Sequence, residues 1–502
     1  MTDVIIAGAG PTGLMLACEL RLAGTDVLVI ERRSVRTYES RAGGMHARSV
    51  ELMDQRGIAD RFLAAGQTGP LAHFSFIPLD MTGLPTRHPY ALAVHQSRVE
   101  QILEERATEL GVRLRWDSEV VDLHEDASGV DVQVATGQDC EQMRAGFIVG
   151  CDGGRSTVRK LAGIGFSGTP ATLTALMGDV SLDYPPPGIV FGESGRRENG
   201  SFMVFESEPG VRRVITMEFG QVAGRNTPVD LEMLRASCMR IAGTDFGMHS
   251  PTWLSSFNDA AFQAHAYRMG RVLLAGDAAH INFPSSGQGM NLGLQDAVNL
   301  GWKLSAVVAG RASADLLESY ETERKSAADT VLESTRAQTA LWRPDAQINA
   351  LRAIVGSLVE LEDCNRHLVA ACTQLDVRYS FGSGHPLVGR RMPDLDLVFE
   401  SGCGRVFDLL HSARPVLLDL TDNASFSAVI DGWSDRVDLV RADCRDAHWT
   451  CPGIGDVSAA PAVLMRPDGH VAWVADREMC DDSTLTGLEQ ALKRWFGPPL
   501  DG

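Results

Sequence analysis

The chain has 502 residues, 44% hydrophobic and 22% charged, the make-up of a soluble globular protein long enough for about two or three domains. A formal net charge of -19 argues against the concentrated basic face that nucleic acid or an anionic membrane surface needs, so neither is an expected partner. The ten cysteines show no CxxC and no Cys/His metal spacing, and Glu19 and Arg21 interrupt the only signal-like stretch, so a cytoplasmic protein with reduced thiols and no metal is expected.

The chain opens on an apolar strand, Val4 to Ala7, followed by Gly8-Ala9-Gly10-Pro11-Thr12-Gly13, a helical run from Leu14 to Leu22 and a second strand from Val27 to Ile30. This is a dinucleotide fingerprint in its required setting. Gly8 permits the tight turn, Gly10 admits a pyrophosphate, and Gly13 lets the helix pack on the strand, while the helix start offers free N–H groups to the anion. Glu31, 23 positions after Gly8, is placed to accept ribose hydroxyls. NAD and FAD are both compatible with this motif.

Leu103 to Leu110 reads as helix, and Val120 to Leu123 with Val130 to Val134 as strands turning at Ser128-Gly129. The strand Gly146 to Gly150 leads into Cys151-Asp152-Gly153-Gly154. From about 175 to 265 the pattern alternates as in an inserted sheet, with Arg212 and Arg213 flanking one strand and expected to be solvated. Arg271 to Ala275 returns as strand and carries Gly276-Asp277-Ala278-Ala279-His280, whose aspartate is suited to a ribityl hydroxyl. Phe283 to Asn291 then opens a helix with Leu294, Val298, Gly301, Leu304 and Val308 on one buried face. The free N–H groups at its start are suited to negative charge on a reduced flavin. Residues 314–372 read as helices broken at Arg343-Pro344-Asp345. From about 385 short strands dominate, including a hairpin turning at Pro467-Asp468-Gly469, before a helix from Leu485 to Trp495.

Four segments together, GAGPTG at 8–13, CDGGRSTVR at 151–159, AGDAAH at 275–280 and PSSGQGMN at 284–291, closely resemble the group A flavoprotein monooxygenases, the para-hydroxybenzoate hydroxylase-like family. Further likeness runs through residues 40–57, 95–103 and 243–257 and the C-terminal segments, so it covers nearly the whole chain. It is greatest to the bacterial branch acting on aromatic polyketides and to rifampicin monooxygenase. The resemblance implies an α/β fold: a Rossmann-type FAD-binding domain (1–175, with pocket segments near 70–100, and 269–385), an inserted β-sheet substrate domain (176–268) and a thioredoxin-like C-terminal domain (386–502).

It also implies that FAD is held by Gly8, Gly10, Pro11, Thr12, Gly13, Glu31, Arg32, Gly276 and Asp277, with support from Arg41 and Gln96. Asp152, Gly153, Arg155, Ser156 and Arg159 form a second fingerprint tied to both FAD and reduced nicotinamide. Gly289, Met290 and Asn291 belong beside the isoalloxazine ring, and Pro284, Gly287 and Gln288 are the catalytic loop positions. The implied reaction consumes NADPH or NADH and O2, forms a flavin C4a-hydroperoxide, and hydroxylates a large aromatic polyketide or ansamycin. The enzyme is expected as a monomer or homodimer.

His46, His95, His249, His265 and Tyr267 are candidates for a substrate base by position alone, and a histidine is more often structural. Phe74, Phe76, Phe202, Phe205, Met217 and Phe219 suit a roomy fused-ring pocket or plain core. One departure from the family pattern stands out: Ser286 occupies a place where relatives commonly have glycine, which would narrow the oxygen-reaction pocket. Baeyer–Villiger insertion and a noncatalytic flavin-binding protein remain open alternatives.

Overall fold

The computed structural model describes residues 2–37, 41–208, 210–222, 228–382, 384–421, 424–475 and 482–500; Ser40, which begins the 40–57 segment, and Cys480, one of the ten cysteines, lie outside them. The first strand, Thr2–Ala7, is buried over its last four residues because parallel strands flank it on both sides. An uninterrupted apolar run is what such a central parallel strand requires. The sheet order is Arg268–Met269, Val272–Leu274, Asp139–Gly150, Thr2–Ala7, Val27–Ile30 and Arg113–Arg115, with Gly129–Thr136 and Glu119–Asp126 continuing from the long strand.

The helix Pro11–Leu22 packs on this sheet and against the helix Gln288–Val308. Small residues recur every fourth position on the latter, at Gly289, Gly293, Ala297 and Gly301, which brings them onto one face. The close approach depends on them. A Cβ at Gly293 would stand 2.3 Å from Thr12 Oγ1, and one at Gly301 would stand 2.4 Å from Glu19 Cβ.

The second sheet is antiparallel throughout, in the order Arg196–Arg197, Gly200–Glu208, Val211–Phe219, Leu173–Leu182 and Met248–Asn258. The helix Leu231–Ala242 covers one face of it, capped by the Asp230 carboxylate on Met233 N and ended by Gly243 at φ 75°. Arg213 corrects the expectation of a solvated arginine. It is buried, and its Nε and Nη2 donate to the two oxygens of Asp179 at 2.8 and 2.7 Å, directly across the strand pair. A buried guanidinium is tolerated with such a bidentate partner. Arg212 is only half-buried, beside Glu206 at 3.4 Å.

Three helices follow: Leu316–Trp342, Ala346–Val359 and Glu362–Thr373. The first break is at the expected proline, and a second falls at Glu360-Leu361. The C-terminal unit has a four-stranded sheet ordered Asp438–Arg441, Val416–Asp419, Ala462–Met465, Val471–Val474, with helices Ala424–Ile430 and Asp482–Phe496. Its first two strands are parallel and the others antiparallel, the thioredoxin-like arrangement. All nine described cysteines are free.

Buried ion pairs fasten this unit to the nucleotide sheet. Arg56 pairs with Glu19 at 2.6 Å and donates to the Leu410 and Pro467 carbonyls. Arg466 donates to both Glu323 oxygens at 2.8 Å, and Lys303 reaches Glu323 Oε2 at 2.9 Å. Burial lowers the Lys303 ammonium to about 7, whereas Arg466 and Lys303 overcome the burial of Glu323 and hold its carboxyl at about 2.

Candidate active site

Ala7, Gly150 and Leu274 are neighbours in register, so the three glycine loops leave adjacent parallel strands at one edge of the sheet. Ligands of open α/β sheets bind outside these carboxyl ends. The glycines divide the work. Gly8, at φ 108°, has no room for a Cβ, which would lie 2.4 Å from Cys151 O; one on Gly13 would lie 2.0 Å from Gly8 O. At Gly10 and Gly153 a Cβ would meet nothing within 4 Å. The first pair lets backbone pack on backbone, and the second leaves open space above the loops.

Glu31 is half-buried and fixed by Ala9 N on Oε2 at 2.8 Å and Arg33 N on Oε1 at 3.0 Å. Pro11 and Thr12 start the first helix, and Arg32 is exposed beyond Glu31. Asp152 Oδ2 accepts from Thr157 N and Val158 N, while its Oδ1 is buried without a partner among the described residues. Ser156 caps the helix Thr157–Leu161 through Arg159 N. The buried Arg159 guanidinium joins the second loop to the third: it donates to Ala278 O at 2.7 Å and Gly154 O at 2.9 Å and lies 3.8 Å over the Phe166 ring. Arg155 stays exposed at the rim.

The third loop is anchored from below. Asp296 accepts from Gly276 N at 3.0 Å, His280 Nε2 at 2.6 Å and Arg324 Nε at 2.7 Å. Burial alone would raise the Asp296 carboxyl, but the His280 and Arg324 charges outweigh it and hold it low. Asp277 keeps accessible surface although protein walls it in, and that enclosure raises its carboxyl against the pull of His280 and Arg41. Arg41 is exposed, and Gln96 accepts from Ala42 N while donating to Glu100.

Beyond Pro284, which is exposed, Ser285–Gly287 forms one 3-10 turn before the long helix. Gly287 is left-handed at φ 66°, and so is Ser286 at φ 58°, a conformation that costs a non-glycine residue energy. Asn291 accepts from His46 N at 2.8 Å and donates to Gly287 O, fixing the loop to the segment at 44–46. Gln288 is fully buried and donates to Cys372 O, whereas Gly289 and Met290 are half-buried. His46 Nε2 lies 2.7 Å from Ser286 O, and burial pushes its imidazole down to about 4, so it is neutral near pH 7. Of the other candidate bases, His95 contacts Ser207 O, His249 and His265 are exposed, and Tyr267 is buried beside Gln263.

The Ser286 side chain turns toward the hairpin Leu71–Phe74/Ile77–Asp80. Its hydroxyl is 2.8 Å from His73 O and 2.6 Å from Gln338 Oε1. Beside it, Phe283 and Trp342 join Leu173, Ala175, Met203 and Met217 in an apolar cluster against which Phe76, Phe205 and Phe219 pack. Phe74 and Phe202 fall in other clusters. Phe283 also lines a cleft of about 450 Å³ with Thr172, Asp259, Thr339 and Arg343, within the size range of ligand pockets. Among the described residues no helix is long and apolar enough to cross a membrane, and no group of side chains is set to hold a metal.

Residues 1–335 match the FAD binding domain family, and residues 385–499 match the C-terminal domain of aromatic-ring hydroxylases. The chain belongs to the FAD-dependent aromatic-ring hydroxylases. It is 45% identical to a 12-dehydrotetracycline 5-monooxygenase/anhydrotetracycline 6-monooxygenase of Streptomyces rimosus over 99% of both chains. It is 43% identical to a rifampicin monooxygenase of Streptomyces venezuelae over 100% of both. A dialkyldecalin synthase of Streptomyces rugosporus is 42% identical over 99% of this chain and 100% of its own. A solved anhydrotetracycline hydroxylase from Streptomyces rimosus superposes with a TM-score of 0.91 at 45% identity, each chain covered to 99%.

As a member of this family the hydroxylase is a monooxygenase that uses FAD, NAD(P)H and O2. Its cradle fits the cofactor, since open space lies above Gly10 and Gly153 and an unpartnered carboxylate oxygen sits between two of the loops. The residues that sequence reasoning missed are His73, Ser75, Gln338, Trp342 and Arg352. The alternation of Leu71 to Phe74 and Ile77 to Asp80 around two residues was a hairpin signal, but nothing local tied it to a helix more than 250 positions away.

Proposed function

We propose that this hydroxylase oxygenates a large fused-ring aromatic, a polyketide or an ansamycin, with NADPH or NADH as reductant, and works in the cytoplasm as a monomer or homodimer. One observation carries the reading: three glycine loops leave adjacent strands, Gly293 of the helix opened by Pro284 to Asn291 lies beside Thr12 of the first and Gly276 of the third, and Phe283 just before that segment joins an aromatic cluster. The full-length likeness to monooxygenases named for anhydrotetracycline and rifampicin supports the substrate class.

Bound FAD, once reduced, supplies oxygen activation and transfer to an electron-rich carbon. The chain's own residues bind and orient. Gly8, Gly10, Pro11, Thr12 and Gly13 would hold the pyrophosphate at the helix start, Glu31 the adenosine ribose with Arg32 at its edge, and Gly276 with Asp277 the ribityl chain. Arg41 and Gln96 would support the cofactor from the facing segment. Asp152, Gly153, Ser156 and Arg159 shape the second loop, and the exposed Arg155 at its rim would meet a transient nicotinamide phosphate. Pro284, Gly287, Gln288, Gly289, Met290 and Asn291 would border the flavin ring, where the unused N–H groups of the helix start offer positive potential to negative charge. The apolar wall excludes water, which favours oxygen transfer over peroxide release.

The test is substrate-stimulated NADPH oxidation by the purified holoenzyme, screened with an anthrone, an angucyclinone, anhydrotetracycline and rifampicin. At least one should speed NADPH consumption and gain oxygen. A second reading, ring closure without oxygenation, is favoured by the dialkyldecalin synthase relative. It predicts an isomeric product formed without NADPH.

A further inference from the structure

The hairpin tip at residues 73–76 is built against local preference. Ser75 and Phe76 form its two-residue turn with φ of 51° and 63°, left-handed values that favour glycine and asparagine and that are exceptional for a phenylalanine. Such conformations persist where surrounding contacts over-determine them, often at functional sites. Here Ser75 N donates to Gln338 Oε1 at 2.9 Å, Ser75 Oγ to Gln338 O at 2.7 Å, and Arg352 Nη1 to Ser75 O at 2.7 Å. The Ser286 hydroxyl, from the flavin-side loop, reaches His73 O and the same Gln338 oxygen. Two left-handed non-glycine residues, Ser75 and Ser286, thus share the Gln338 side-chain oxygen, and the third, Phe76, is tied to His73.

The geometry presents two rings. Phe76 stacks on His73 with centroids 4.7 Å apart and planes 11° from parallel, meets Phe191 edge-on at 5.0 Å, and leans on Trp342 at 4.3 Å. Trp342 is tied to the substrate sheet by its Nε1 donating to Ser201 Oγ at 2.8 Å. Phe76 N points at His73 Nδ1 at 3.2 Å, which makes that nitrogen the acceptor and places the proton on Nε2. Nε2 has no protein partner among the described residues, and His73 is half-buried rather than sealed.

We propose that this tip is the substrate-recognition platform of the hydroxylase, the His73–Phe76 pair lying against a fused aromatic ring and His73 Nε2–H donating to a quinone or phenol oxygen on it. The proposal rests on the aromatic-substrate reading above. Enclosure, with a smaller push from His46, lowers the His73 imidazole to about 4, so the donor is neutral across the working range and its hydrogen bond does not titrate between pH 6 and 8. The platform selects for an oxygen at one edge of the ring system. An aromatic that lacks it gains only stacking.

Equilibrium binding of anhydrotetracycline to the FAD holoenzyme without NADPH, followed by flavin fluorescence, tests this directly; rifampicin and an angucyclinone serve as further probes. H73F keeps the stacked ring and loses the donor, H73Q keeps a donor and loses the ring, and F76G relaxes the turn and loses the stack. For the probe bound best by the wild type, H73F should weaken binding about tenfold, a neutral hydrogen bond's worth in a dry pocket, with H73Q intermediate. The wild-type Kd should be flat from pH 6 to 8, and H73F should raise the ratio of peroxide to product. F76G, which removes a strained residue, should retain FAD and still bind more weakly. Equal Kd values for wild type, H73F and F76G, with FAD content unchanged, overturn the proposal. Failure of the wild type to bind any of the three probes refutes the aromatic-substrate reading and the proposal with it.

Discussion

The nucleotide cradle and the substrate wall are built on opposite terms. In the cradle the anchoring side chains are committed to protein: Arg159 to two carbonyls, Asp296 to three donors, Asn291 to the 44–46 segment. Room is left above Gly10 and Gly153. The wall instead stacks rings, gives the His73 Nε2 donor no protein partner among the described residues, and holds Ser75, Phe76 and Ser286 in left-handed backbone. On the proposed assignment a cofactor of fixed shape meets fixed backbone and the substrate meets side chains. Such a division fits likenesses of 42–45% to oxygenases and to a dialkyldecalin synthase.

Breaking the cradle should have the largest effect. Gly13→Ala drives a Cβ to 2.0 Å from Gly8 O, so a loss of more than ~3 kcal/mol and failure to retain FAD after desalting are expected. Wild-type flavin content in that variant would contradict the packing role of Gly13. Next comes Glu323→Gln, which removes the carboxylate shared by the buried Lys303 and Arg466 and leaves Asp468 as the carboxylate paired with Arg466. About 3 kcal/mol should be lost in chemical denaturation, because removing one member of a buried ion-pair network leaves buried charge under-compensated.

Acid should act through both regions and through His470 at the C-terminal sheet. His46, His73 and His470 each have folded-state values near 4, against 6.5 when unfolded. Between those limits the unfolded chain binds more protons, so stability present above about pH 6.5 is lost as the pH falls toward 4. A thermal midpoint that stays level from pH 7 to 4.5 would show that these imidazoles are not held neutral. The smallest effect on folding is expected from Ser286→Gly. Relief of the left-handed serine and loss of its hydrogen bond should cancel to within about 1 kcal/mol, while freeing the hairpin should raise the share of NADPH diverted to peroxide.

The sequence made the cradle legible because its constraints are local. Gly8 and Gly13 answer to backbone atoms and Gly276 to the Thr12 side chain, all within one turn or between loops of adjacent strands, and a fingerprint records them in order. The wall was scarcely legible. Phe76 and Phe205 read as alternating strand residues, and their meeting with Trp342 depends on how a hairpin, a sheet and a helix end pack together. Arg213 looked solvated because its partner, Asp179, becomes adjacent only when two strands pair. Ser286 stood out as a departure from a glycine pattern, yet its role rests on Gln338, 52 positions later. The break at Glu360-Leu361 carries no proline or glycine to announce it.

The most direct test of oxygen transfer to an aromatic is turnover of anhydrotetracycline, or whichever screened aromatic binds best, with NADPH and isotopically labelled dioxygen, the product being weighed by mass spectrometry. One labelled oxygen atom per product molecule, formed only in the presence of FAD and NADPH, is the expected result. NADPH oxidation recovered entirely as hydrogen peroxide, or an isomerised product without label, would contradict it.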